Sequence, residues 1–111
     1  MGEPEVITLY RIVRTATPTA DDMRSYAELG TPLRRDDSES RRLAQGISLF
    51  GSLERARRQA HGKPWLGDAF LVELAIPAHQ FQLEQTGRRG HYTLWGEAHA
   101  ILKCVQRVER A

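Results

Sequence analysis

The sequence predicts a single α+β domain, with a small mixed or antiparallel sheet and two to three short helices. Three observations lead there. Strand-like runs of β-branched and aromatic residues recur along the chain, the helical segments between them are short and stop at glycine, and 111 residues build one core of ordinary domain size.

Val6 to Arg14 (VITLYRIVR) is the first strand, bounded by Pro4 and by Thr15 to Pro18. Its period of two puts Ile7, Leu9, Arg11 and Val13 on one face, so Arg11 interrupts an apolar row. A guanidinium there either snorkels over an edge or lines a cleft that holds an anion. Thr19 to Asp22 has capping-box spacing, and Ala20, Met23 and Ala27 follow at helical spacing to a stop at Gly30, which predicts one short helix. A polar loop from Thr31 to Ser40 leads to a helical turn over Glu39 to Gln45, ended by Gly46.

Ile47 to Phe50 is then a four-residue strand. Ser52 caps a helix with Leu53, Ala56 and Ala60 on its inner face and Gly62 as its stop. Ala69 to Ile76 (AFLVELAI) is a buried strand closed by Pro77. Phe81 to Glu84 is a further strand, Gln85 to Gly90 a turn, and His91 to Trp95 the strand that follows it. The terminal run fits both periods. Ile101, Cys104, Val105 and Val108 have helical spacing, while ILKCVQRV has strand composition, and a strand entered from a turn at Glu97 to Ala100 is preferred because the sheet needs partners.

Composition narrows function by exclusion. No apolar run is long enough for a membrane helix, and the acidic start has neither the basic nor the apolar region of a signal peptide, so a cytoplasmic protein without a membrane partner is expected. Cys104 stands alone and reads as a core residue. His61, His79, His91 and His99 have no ligand spacing, so no metal is expected. Sixteen cations against fourteen anions leave a net charge of +2. The doublets Arg34-Arg35, Arg41-Arg42, Arg57-Arg58 and Arg88-Arg89 form a phosphate-tracking patch if the fold gathers them, and are solvated surface if it does not. Trp65 and Trp95 are either stacking platforms for a base or nicotinamide, or lids on the core.

The order of LYRIV on the first strand, GISLF-GS-xxx-A on a strand entering a helix, LVELAIP, and GHYTLWG followed by ILKCVQRV resembles the ADP-ribosyltransferase fold. It is similar in particular to the small core of diphtheria-toxin-like and poly(ADP-ribose)-polymerase-like members. The resemblance implies a split, curved sheet and an NAD-utilising or ADP-ribose-handling protein, performing ADP-ribosyl transfer or NAD glycohydrolysis with NAD as its substrate. By that resemblance Arg11, Ser48 and His91 are the catalytic set, in which Arg11 holds the nicotinamide ribose or a phosphate, Ser48 orders the site and His91 contacts the ribose, while Phe50, flanking the nicotinamide pocket, and Tyr92 join Arg11 in binding the cofactor.

His91 is also a departure, since the family places a glutamate there. That carboxylate holds a ribose hydroxyl and offers negative charge to the developing ribosyl cation, whereas neutral imidazole supplies only the hydrogen bond. Glu73, Glu84 and Glu97 are candidates to replace it, with Glu73 either pairing with Arg11 across the sheet or facing solvent. RNA 2′-phosphotransferases on this fold work with Arg and His and lack the glutamate. Two alternatives accompany the enzyme: a non-catalytic module that binds a nucleotide or a protein, and an RNA-binding or RNA-modifying protein that uses the arginine doublets.

Overall fold

A computed structural model describes residues 5–64 and 67–111. Its centre is a six-stranded sheet in the order β4-β5-β2-β1-β3-β6, formed by β1 (Val6–Val13), β2 (Ile47–Phe50), β3 (Phe70–Pro77), β4 (Gln82–Gln85), β5 (His91–Trp95) and β6 (Val105–Arg110). Every registered pairing is antiparallel, which decides between the mixed and antiparallel sheets that the sequence allows.

The sheet separates two apolar layers. On one face Leu9, Leu49, Val72, Leu74, Ile76 and Leu94 form the main core, closed by Met23 of a 3-10 turn (Ala20–Met23) and by Ile101 of α4 (Ala98–Leu102). On the other face α3 (Leu53–His61) lays Ala56 and Ala60 against Leu71, with Tyr10, Ile12 and Phe50 around them. The small alanines let the helix backbone approach the strands closely, and Ser52 caps it by accepting from the Arg55 amide at 3.2 Å.

Helices are more numerous than expected, because the segment from Thr19 to Gly30 is not one helix. Asp22 accepts from the Thr19 amide at 2.7 Å and closes the 3-10 turn, after which the chain extends through Arg24 and Ser25. Ser25 then starts α1 (Tyr26–Leu29) with its own reciprocal cap. Its hydroxyl accepts from the Glu28 amide at 3.2 Å, and its amide donates to the Glu28 carboxylate at 3.1 Å. The Ser25-Tyr26-Ala27-Glu28 spacing announces that cap in the sequence. Gly30 ends α1 at φ 72°, where a side chain is strained.

Asp37 caps α2 (Ser38–Ala44) by accepting from the Ser40 amide at 2.7 Å. The ambiguous C-terminal run divides between its two periods. Glu97 caps α4 through the Ala100 amide at 2.8 Å, and β6 begins three residues after α4 ends. Cys104 lies at that junction, half-buried against the main core, with its thiol 3.5 Å from the Ala100 carbonyl. Among the described residues no helix is long and apolar enough to cross a membrane.

Candidate functional site

The site forms where β1 and β2 separate. Among the described residues these strands share a single registered pair, Tyr10 with Phe50, and beyond it Arg11 to Val13 part from Leu49 to Ile47. Arg11 bridges the parting. Its Nη1 donates to the Ser48 carbonyl at 3.0 Å and its Nε to the Asp22 carbonyl at 3.1 Å, so a side chain takes over from the backbone ladder. The Asp22 carboxylate is engaged by Thr19, and Arg11 has no ion pair among the described residues. Burial draws the Arg11 pKa below its ordinary value, with Tyr26 and Asp22 pulling upward; a guanidinium starts so high that it stays charged.

Alternation places Arg11 beside Leu9 and Val13 on the main-core face, while His91, paired with Phe50, projects on the α3 side. An intact sheet would wall them apart. The parting removes the wall, and both line the same two cavities.

The smaller cavity, about 320 Å³, is walled by Arg11, Ser25, Tyr26, Leu43, Ile47 and His91 among others. It opens into a larger cavity of about 1100 Å³ that shares Arg11, Tyr26, Ser48 and His91 with it. The larger one is cationic. Arg11 and Arg14 reach it from β1 and the residue that follows, Arg34 from the loop before α2, Arg55, Arg58 and Lys63 from α3 and its exit, and Arg88 and Arg89 from the β4–β5 turn. No aspartate or glutamate lines either cavity among the described residues.

The β4–β5 turn also orients His91. Its Nδ1 lies 2.9 Å from the Thr86 carbonyl oxygen and 3.2 Å from the Thr86 hydroxyl, which itself meets the Thr93 hydroxyl at 2.7 Å. A carbonyl can only accept, so the network assigns the proton of neutral His91 to Nδ1 and leaves the Nε2 lone pair open. Phe50 braces the ring edge-on, with centroids 5.6 Å apart. Gly87 and Gly90, at φ 65° and 82°, give the turn its curvature, and Gly90 lies directly beneath Arg55: an added Cβ would meet the Arg55 Cδ at 2.6 Å.

Of the residues expected at the site, Arg11, Ser48, Phe50 and His91 line the cleft. Tyr92 does not. As the strand neighbour of His91 it points the opposite way, onto the main core. The three candidate carboxylates are also elsewhere. Glu73 pairs across the sheet with Tyr10 rather than Arg11 and accepts from its hydroxyl at 3.4 Å, Glu84 is ion-paired with Arg42, and Glu97 caps α4. Trp95 serves structure: its indole donates to the Arg42 carbonyl at 2.9 Å, and the Arg42 guanidinium stacks 4.9 Å from the ring centroid. Trp65 lies outside the described residues.

Sequence reasoning missed Tyr26, Thr86, Arg14, Arg55 and Lys63. Helical spacing from Arg55 to Arg58 and Gln59 was the available signal for a cationic helix face, one the doublet pattern obscured. The doublets divide accordingly. Arg58 faces the cleft while Arg57 meets Glu109 at 3.0 Å, and Arg41 and Arg42 are occupied by Asp36, Glu39 and Glu84.

Comparison with known proteins adds no relative: no family model, no curated protein and no solved structure matches the chain.

Proposed function

We propose that the domain is ADP-ribosyltransferase-like and binds a phosphate-bearing nucleotide, NAD or ADP-ribose, at the parting of β1 and β2. One observation carries the reading: a small, mostly apolar cavity, with Arg11 and Arg24 its cations among the described residues, opens into a carboxylate-free and more strongly cationic one, and Arg11, Ser48 and His91 stand at the junction. A dinucleotide has the matching division, with a flat ring for the first cavity and a diphosphate for the second. The separation of β1 from β2 supports the split sheet that the resemblance implies.

His91 Nε2 can accept from a ribose hydroxyl, or take the proton of a hydroxyl nucleophile as nicotinamide leaves with the electron pair of its glycosidic bond. The cations nearby oppose the positive charge that develops on the ribose, and no carboxylate in the cleft offsets them. Binding without fast transfer is therefore the expected behaviour. Calorimetry with NAD and ADP-ribose, together with a nicotinamide-release assay, tests it. The expected result is saturable binding, slow release that His91→Ala abolishes, and faster release by His91→Glu. Failure to bind either nucleotide overturns the reading.

A further inference from the structure

The larger cavity holds more positive charge than a dinucleotide can use. A diphosphate brings about two negative charges, whereas eight cationic side chains converge here in a chain whose net charge is only +2. The segregation is specific. Outside the larger cavity four of the remaining eight cations, Arg24, Arg41, Arg42 and Arg57, meet carboxylates at 3.0 Å or less, while of the eight that line it only Arg58 does so among the described residues, with Glu54 at 2.8 Å. Arg14, Arg34, Arg55, Lys63, Arg88 and Arg89 have no ion pair among the described residues. Collecting unneutralised cations costs self-repulsion, and a ligand with several evenly spaced anions relieves it.

We propose that this cleft binds a single strand of nucleic acid, its successive phosphates tracked by cations from β1, the loop before α2, α3 and the β4–β5 turn. The half-open concavity lined by four separate segments suits a single strand, whose bases are free to enter it, better than a duplex, whose bases are stacked inside. Aromatic faces complete the match. Tyr26 is 63% exposed at the cleft, and Phe50 and His91 lie along it, where bases can stack without regard to sequence.

The proposal goes beyond nucleotide binding and is tested apart from it. Fluorescence anisotropy without NAD measures a labelled oligouridylate, an oligothymidylate, a duplex of equal length and phosphatidylserine vesicles against the intact protein. Binding of either strand is expected, with the tighter one naming the sugar. For about four phosphates neutralised, affinity falls roughly 50-fold between 50 and 200 mM salt.

Arg88→Ser with Arg89→Ser should weaken strand binding about tenfold and flatten the log–log salt slope by about 1.4. Lys103→Ser with Arg107→Ser removes the same net charge from exposed positions outside the cleft and should change affinity less than about twofold. Salt-independent binding, equal loss in both double variants, or equal affinity for duplex or vesicles overturns the proposal. NAD binding without strand binding defeats this inference alone, and strand binding without NAD binding defeats only the nucleotide reading.

Discussion

β1 has two neighbours and engages them differently. Toward β3 it is registered along its whole length, from Val6 opposite Pro77 to Val13 opposite Phe70; toward β2 it is registered only at Tyr10. The first seam is sealed by a core in which Leu9, Val72, Leu74 and Ile76 are almost wholly buried. Beyond the Tyr10–Phe50 pair the second is bridged by one guanidinium, which donates to the Ser48 carbonyl of β2 and to the Asp22 carbonyl of the 3-10 turn. One seam is stabilised by area removed from water and the other by directed polar bonds, and only the second leaves room for a ligand.

Loss of packing at the sealed seam has the largest expected effect on stability. Leu74→Ala should cost about 2–5 kcal/mol in chemical denaturation, because the cavity it leaves is enclosed on every side. Nucleotide and strand affinity of the fraction that remains folded should be unchanged, and a ligand defect there would erase the contrast between the seams.

Arg11→Met should cost less, about 1–3 kcal/mol, since methionine keeps the stem's packing and loses the two bonds to the Ser48 and Asp22 carbonyls. Calorimetry on this variant should nevertheless show nucleotide binding lost. A stable Arg11→Met protein with intact binding would show that the open seam does not depend on its arginine.

The smallest effect belongs to a surface cap distant from both seams. Backbone hydrogen bonds from Ala100 and His99 hold the Glu97 carboxyl below its ordinary value of 4.5. A depressed folded pKa means that the contribution is complete above that ordinary value and is lost as pH falls through the lower folded one. Glu97→Gln should therefore lower stability slightly across the neutral region and converge with the parent at low pH, flattening the acid limb of a stability–pH profile without altering ligand binding. An unchanged acid limb would assign that limb to other carboxylates, such as the similarly depressed Asp37.

The sealed seam was legible because its residues follow one rule at a time: β-branched alternation in β1, a continuous apolar run in β3, and the Ser52 and Gly62 signals around α3. The C-terminal run was half legible, since a helical turn and a strand occupy it in succession and each supplies one of its two periods. The open seam was legible in its ingredients and not in its arrangement. Arg11 stood out by breaking an apolar row, but its partners are backbone carbonyls, which carry no signature in a sequence. The His91 tautomer depends on a carbonyl brought round by a turn with two left-handed glycines, and the cationic cleft depends on which of the doublet arginines a helix or loop turns inward: one of Arg57-Arg58, both of Arg88-Arg89 and neither of Arg41-Arg42.

The strand order also favours one sequence of events in time over others. β4 and β5 are joined by a short turn, so they can pair within microseconds, and that pairing already sets the Thr86 carbonyl against the His91 ring and puts Arg88 and Arg89 between the strands. Pairing of β1 with β3 encloses every element from the 3-10 turn through α3 and must wait for a long loop to close. The histidine can thus be oriented in a local hairpin before Arg11 arrives on its distant strand, and the cleft comes into being only when Arg11 reaches Ser48, 37 residues away in the chain.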